Sequence, residues 1–350
     1  MNIDRIVKTA ALMVPMLGAM TFGAEAAVTL QSAYGLAVDQ STGSLYIADA
    51  SGGQIDVYNP ASNVISSFAK VAEPFSLAVN SNGLVYAGLE GSTGQINIYN
   101  AQGQFINTLP TPPGDYPSTM AFDGDNILFE ASGYCNGGQA GLNAYGGDLS
   151  LPYQAIASSR VAAPLLSSYA QLQSYSCLGA QQSASFALAY DNGQIFIVLK
   201  GGFNVYDEQT LLSGNAEGYI IAFNDSVTTI PQLSNAFTPW RINHLIAVIG
   251  SPFAATVDAN HNIFYTDSNG KDIAVTGKAY SNGIGGGVVA PKTLLTNLPS
   301  PPYGIAFDKA RSRLYVAFPS ERLVRAYAVS YSTQNGVKVP SLSMPPMLIK

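Results

Sequence analysis

The stretch SAYGLAVDQSTGSLYIAD, residues 32–49, decides the fold because nearly the same phrase, PPYGIAFDKARSRLYVAF, returns at residues 301–318. In both, an aromatic and a small residue precede an aliphatic pair and an aspartate, and a second apolar run follows after a short turn. Two apolar runs joined in this way predict a pair of antiparallel strands. Six copies of the phrase start at Tyr34, Phe75, Ser118, Phe186, Phe253 and Tyr303.

Further apolar runs complete each unit. A third run ends in an aromatic residue, as in QIDVYN at 54–59, and a fourth follows, as in VISSF at 64–68. Four strands per unit are typical of a β-propeller blade. The equivalent residues Leu36, Leu77, Met120, Leu188, Ala255 and Ile305 are 41, 43, 68, 67 and 50 positions apart. A bare blade takes about 40 to 45 residues, so the longer units must carry insertions. We therefore predict an all-β, six-bladed propeller with four antiparallel strands per blade, spanning residues 27–330.

The last unit shows no clear fourth strand after Tyr327. Two segments could supply it, VTLQS at 28–32 and VKVPSL at 337–342. We expect the N-terminal segment to do so, because it would close the ring and hide two sheet edges. Residues 331–350 are then a C-terminal tail.

The repeated phrases resemble the NHL and YVTN families of propeller repeats, over nearly the whole predicted mature chain. The resemblance implies the fold and no single activity, since propellers host hydrolases, lyases, receptors and binding modules. The blade count is also similar to that of the gluconolactonase and senescence-marker-like group, in which carboxylate and amide side chains at the channel mouth hold one divalent cation. The matching positions here carry Gly35, Ser76, Thr119, Ala187, Ala254 and Gly304. We therefore expect no bound metal and no cofactor. Ca²⁺ or Zn²⁺ would be bound only if the chain is such an enzyme.

The N-terminus predicts export. Arg5 and Lys8 precede an apolar stretch at 9–23, and small residues follow at Ala24 and Ala26, as in a signal peptide over residues 1–26. The stretch is shorter than a bilayer span, so the mature chain should be periplasmic, secreted or at the cell surface, with no transmembrane segment. A net charge of −6, without a basic cluster, disfavours a nucleic-acid partner.

Successive strands of a blade run in opposite directions, so the connections between them lie on two opposite faces of the predicted propeller. The loop face, where each first strand begins, receives the long insertions at 200–217 and 231–252. The turn face, where each first strand ends, should carry only short turns and little function. Cys135 and Cys177 both fall on the loop face, and in an exported protein we expect them to form a disulfide. Loops enlarged on one face of a rigid scaffold usually carry function.

Candidate ligand-binding residues lie at the mouth of the channel on the loop face. They are the aromatics of the repeated phrase with one loop residue: Tyr34, Phe75, Phe186, Trp240, Phe253 and Tyr303. An aromatic funnel would receive an apolar or sugar-like ligand. Alternatively, these rings only pack between neighbouring blades. The polar residues that end the first strands should cap turns: Asp39, Asn80, Asp123, Asp191, Asp258 and Asp308.

Three residues are candidates for catalysis. Glu130 stands where the other units have small or apolar residues, and Arg241 and His244 lie in a predicted loop. His261 is expected to be exposed in a turn. The sequence favours a monomeric module that binds a protein, carbohydrate or small molecule through its loop face. One alternative is a lactonase-like hydrolase or lyase with its site at the channel mouth, and another is a cell-surface structural protein.

Overall fold

The computed structural model describes residues 28–90, 94–111, 116–124, 126–132, 142–145, 187–191, 193–200, 203–207, 210–214, 218–224, 242–247, 252–267, 269–277 and 292–350. Within these ranges the regular structure is β-strand, apart from one 3₁₀ turn at Pro319–Glu321. No helix in the described part of the chain is long and apolar enough to cross a bilayer.

The strands form antiparallel sheets that follow the order of the chain. The first sheet contains β1 (Ala33–Val38), β2 (Leu45–Asp49), β3 (Gln54–Asn59) and β4 (Val64–Lys70). The second contains β5 (Pro74–Val79), β6 (Val85–Leu89), β7 (Gln95–Tyr99) and β8 (Phe105–Pro110). The third contains β9 (Pro117–Phe122), β10 (Leu128–Ser132) and β11 (Leu142–Tyr145).

The later sheets have the same plan. The fourth contains β12 (Ala187–Asp191), β13 (Gln194–Lys200), β16 (Gly218–Asn224) and β17 (Ile242–Ala247), and β14 (Phe203–Asp207) and β15 (Thr210–Gly214) form a separate hairpin between β13 and β16. The fifth contains β18 (Pro252–Val257), β19 (Asn262–Asp267), β20 (Asp272–Gly277) and β21 (Lys292–Leu295). The last contains β22 (Ile305–Asp308), β23 (Arg313–Phe318), β24 (Leu323–Gln334), β25 (Val337–Leu342) and β26 (Met347–Ile349).

The hydrophobic core lies between neighbouring sheets. In β2, Leu45 and Ile47 pack against the last sheet, whereas Tyr46 and Ala48 pack against the second. Both faces of the strand are buried, so it is apolar throughout instead of alternating. The first strands contact one another in the series β1, β5, β9, β12, β18, β22 and back to β1. This is a β-propeller arrangement, as the repeated phrase predicts.

The C-terminus of the chain, and not its N-terminus, extends the last sheet. Residues 28–32 form no strand, because the Asp49 carboxylate accepts the backbone N–H groups of Gln31 and Ser32 at 2.8 and 2.7 Å. Instead, β26 pairs with Val324–Ala326 of β24, and β25 pairs with the remainder of that strand. The expected N-terminal closing strand is therefore not found, and residues 331–350 contain strands where we expected a tail.

The turn face is more elaborate than the sequence indicated. The long strand β24 continues past this face and returns as β25, and the Tyr331 hydroxyl donates a hydrogen bond of 2.9 Å to Asp258 Oδ2 of the fifth sheet. In addition, residues 278–291 connect β20 to β21, two strands whose ends meet at this face. The expectation of short turns only was wrong.

Candidate functional site

A β-bulge near the start of the first strand distinguishes several sheets. In β5, Pro74 and Ser76 pair with the adjacent residues Leu89 and Gly88, so Phe75 is an extra residue in the strand. The same shift in register occurs in β18, where Phe253 is the extra residue. In β1 the register shifts between Ala33 and Leu36, at Tyr34 and Gly35. A bulge takes a side chain out of the strand's alternation and re-aims it.

The re-aimed aromatic side chains meet at the mouth of the channel. The ring centroids of Tyr34 lie 5.4 Å from those of both Phe75 and Tyr303, and the Phe253 and Tyr303 centroids are 4.6 Å apart. All four side chains are partly exposed. These four residues, which we call the aromatic mouth, therefore contact one another across neighbouring sheets and are partly exposed.

Three members of the aromatic mouth, Tyr34, Phe75 and Phe253, line a small cavity of about 70 Å³. Its lining carries neutral side chains, with hydroxyl groups from Ser76, Ser118 and Thr119 among the rings. Ser118 replaces the aromatic in the third sheet, and its hydroxyl donates a hydrogen bond of 2.8 Å to the carbonyl of Ala131. Burial raises the pKa of Tyr303, so its phenol stays protonated at neutral pH.

The residues that follow the aromatics are small because neighbouring sheets touch there. A β-carbon on Gly304 would collide with the carbonyl oxygen of Tyr34, and one on Gly35 would collide with that of Phe75. In the second sheet, the Ser76 hydroxyl instead bonds the carbonyl of Pro117 in the third. The positions at which the lactonase-like group is expected to hold its cation are thus occupied by contacts between sheets.

A second, larger cavity opens on the turn face, with a volume of about 270 Å³. Both cavities are lined by the equivalent residues of the repeated phrase: Leu36, Leu77, Met120, Leu188, Ala255 and Ile305. These six side chains form an apolar waist along the channel. The turn-face cavity also reaches Gln40, Tyr190 and Lys309.

Most of the polar residues that end the first strands cap their own turns. Asp39 Oδ1 accepts the N–H of Ser41 at 2.8 Å, and Asp258 Oδ1 accepts those of Asn260 and Asn262 at the same distance. Comparable bonds involve Asn80, Asp123 and Asp308.

Asp191 differs from this set, since its carboxylate bridges to other sheets. Its Oδ2 contacts Nδ1 of His261, and its Oδ1 lies 3.9 Å from Nζ of Lys309. His261 is partly exposed, with 38% of its side chain accessible, and also has this acidic neighbour. Sequence reasoning missed the group because its three members lie in three different turns.

The structure places Glu130 away from the mouth. Glu130 is fully buried in β10, opposite Met120 and Asn143, and lines neither cavity. His244 lies on β17, the outermost strand of the fourth sheet, and not in a loop as expected. The remaining candidates lie outside the described residues: Phe186, Trp240, Arg241, Cys135 and Cys177.

The donor set of the mouth does not fit a hard cation, which prefers several carboxylate or carbonyl oxygens that converge on one point. The described residues of the cavity lining include no carboxylate. Across the described ranges, no three His, Cys, Asp or Glu side chains come together as a metal site would require.

Comparisons with known proteins identify the fold. No family model matches the chain, and no curated protein matches it. Among solved structures, a gluconolactonase from Xanthomonas campestris is 14% identical with a TM-score of 0.50, over 82% of this chain and 83% of that one. A chain of the nidogen/laminin complex is 14% identical with a TM-score of 0.50, over 79% and 85%. A chain of the mitotic checkpoint complex is 11% identical with a TM-score of 0.53, over 93% and 98%.

At these identities the likeness shows the fold alone. The chain is a β-propeller, as the sheet order indicates. Both enzymes and members of protein complexes share this fold, so the likeness selects no function.

Proposed function

We propose that the chain is a six-bladed propeller whose aromatic mouth binds a neutral, ring-bearing group of a ligand. The observation that carries the proposal is the mutual contact of four partly exposed aromatic rings, three of which line a cavity that has no charged side chain among the described residues. Aromatic faces present a large apolar surface, and the tyrosine hydroxyls add polar partners. The group that fits is a sugar ring.

The size of the cavity indicates how the ligand would bind. A volume of 70 Å³ corresponds to the liquid volume of about two water molecules. A ring cannot be enclosed in this space and would lie on the aromatic mouth, with the serine and threonine hydroxyls beneath it. We expect modest affinity for one ring and stronger binding for a ligand that also contacts the loop face.

Six blades, closed by the C-terminal strands, are part of the same proposal. The series of first-strand contacts that returns to β1 supports it, as does the burial of Ile349 of β26 with Leu30 and Val324. The third sheet has three described strands.

We further propose that the protein is exported, with residues 1–26 removed and Cys135 joined to Cys177. A disulfide on the loop face would fix the long connections above the mouth. Mass spectrometry of the mature protein tests both parts, through the mass of the N-terminal peptide and the two-hydrogen difference on reduction. An uncleaved N-terminus or two free thiols would contradict them.

The lactonase-like alternative has no support in the described residues. Glu130 lies away from the mouth, and the residues that border the cavity offer no acid, base or nucleophile beyond neutral hydroxyls. A structural role at the cell surface is compatible with the fold, although no contact described above favours it.

Isothermal titration with a panel of neutral disaccharides tests the binding proposal. The Tyr303→Ala variant should weaken binding by about thirtyfold, as expected for a central aromatic contact. Phe105→Ala is the matched control, because Phe105 is an exposed aromatic on β8, away from the mouth. The proposal fails if no sugar binds, or if both variants bind like the wild type.

A further inference from the structure

The turn-face cavity has apolar walls. One wall residue comes from each of five sheets: Val38, Val79, Phe122, Val257 and Phe307. The apolar waist lines its inner end. With about 270 Å³, the cavity is slightly smaller than typical small-molecule sites, whose volumes begin near 300 Å³. It therefore suits a ligand with a short hydrocarbon part.

Among the described residues, one charged side chain lines this cavity, that of Lys309. The backbone of Lys309 is held by the first sheet, since its N–H donates to Gln40 Oε1 at 3.1 Å and Gln40 Nε2 donates to the carbonyl of Phe307 at 2.7 Å. These bonds fix the turn that carries the ammonium group at the rim.

The Lys309 ammonium keeps donors for a ligand. Its nearest acid oxygen, Asp191 Oδ1, is 3.9 Å away, which is too far for a hydrogen bond, and Nζ makes no hydrogen bond among the described residues. Both oxygens of the Asp191 carboxylate already have a neighbour, because Oδ1 faces Lys309 and Oδ2 contacts Nδ1 of His261. An incoming carboxylate could therefore bond the ammonium, whereas an incoming amine would find Asp191 occupied.

The other aspartates of the turn face do not compete inside the cavity. None of them lines the cavity. The carboxylates of Asp39 and Asp258 accept hydrogen bonds from the backbone of their turns, Asp258 also accepts one from the Tyr331 hydroxyl, and Asp308 accepts one from Arg311. Among the described residues, the charge that lines the cavity is therefore positive.

We infer that the turn-face end of the channel is a second binding site, which takes a small carboxylate with a short apolar chain. The chain lies against the waist and the carboxylate binds Lys309 at the rim. The site differs from the aromatic mouth, because the two cavities share only the six waist residues among their described lining residues.

The test uses the full chain and three probes of equal length: hexanoate, hexan-1-ol and hexylamine. Ligand-observed NMR titrations give the affinities, up to about 50 mM, a range suited to ligands of this size. We expect hexanoate to bind more tightly than the alcohol, and the amine to bind least.

Substitutions around the turn-face cavity show separately how charge and cavity shape contribute to binding of the probes. Lys309→Met should weaken hexanoate by about tenfold and leave hexan-1-ol unchanged, because one charge-assisted hydrogen bond is lost. Asp191→Asn should strengthen hexanoate severalfold, since it removes the acid that competes for Lys309. Thr256→Phe should block all three probes, because Thr256 lines only the turn-face cavity. Lys338→Met is the control, an exposed lysine on β25.

Each outcome decides the inference. It is overturned if hexanoate fails to bind, if Lys309→Met binds it like the wild type, or if hexylamine binds more tightly. It is also overturned if Tyr303→Ala at the mouth abolishes hexanoate binding. Should Thr256→Phe fail to fold, as shown by its melting curve, Lys309→Met still decides, because the Lys309 side chain is 42% exposed and is not needed for packing.

Discussion

Asp56 is a carboxylic acid in a fully buried position. It lies on β3 on the same side as Tyr58, which packs in the core between the first and last sheets. Gln54 Nε2 donates a hydrogen bond of 2.8 Å to Asp56 Oδ1, and Oδ2 has no hydrogen-bond partner among the described residues. Burial, with the nearby charge of Asp49, raises the pKa of Asp56 to about 6. The folded protein therefore holds a proton here that the unfolded chain releases.

This acid makes the stability depend on pH. The pKa of Asp56 is about 6 in the folded state and about 3.9 in an unfolded chain. The contribution of Asp56 to the stability of the fold is therefore fully present below pH 4 and is lost as the pH rises through 6. We expect the Asp56 contribution to the free energy of unfolding to fall by about 3 kcal/mol across this window.

Urea unfolding at pH 4, 5, 6 and 7 would measure the effect. Asp56→Asn keeps the shape and removes the ionisation, so the stability difference between variant and wild type should grow with pH in this window. A difference that stays constant from pH 4 to 7 would contradict the buried-acid account.

At the scale of the strand, the bulge at the start of the first strand decides what the repeated phrase does. The phrase itself predicts a strand, a turn and a second strand, and the structure has these elements. It does not reveal that one residue is extra, because a bulge depends on the register of two strands and not on the composition of either. Phe75 illustrates this, since its place outside the pairing follows from the partners of Pro74 and Ser76.

The glycine that follows the aromatic allows two sheets to approach. Gly304→Ala would press a methyl group against the carbonyl of Tyr34 in the first sheet, which should cost about 1 to 3 kcal/mol of stability. Gly124→Ala is the control, because a β-carbon there meets only an ordinary contact with Tyr190 at 3.7 Å. Thermal and urea unfolding should leave the control within about 0.5 kcal/mol of the wild type. Equal stability of the two variants would show that the sheets do not touch at Gly304.

The C-terminal strand β26 is predicted to stabilise the junction of the last and first sheets. Ile349 is 3% exposed and packs with Leu30 and Val324, so Ile349→Ala should cost about 2 to 4 kcal/mol. Its neighbour Leu348 is 48% exposed, and Leu348→Ala should change stability by less than about 0.5 kcal/mol. If both substitutions had the same small effect in urea unfolding, β26 would not be part of the closure.

For the whole molecule, the repeat predicts the order of the sheets, whereas side-chain contacts decide how the ends of the chain are placed. The N-terminal segment has the composition of a strand, yet Asp49 takes two of its N–H donors and the C-terminus occupies the sheet. The group formed by Asp191, His261 and Lys309 was equally invisible in the sequence, because residues from three turns meet only once the sheets are arranged around the channel.

A crystal structure of the full mature chain, soaked with the best-binding neutral disaccharide, would test whether the chain is a six-bladed propeller that binds a sugar at the aromatic mouth. We predict six sheets around one channel, β26 on the last sheet, and a sugar ring on Tyr34, Phe75, Phe253 and Tyr303. A different number of sheets, or a sugar bound away from these four rings, would contradict it.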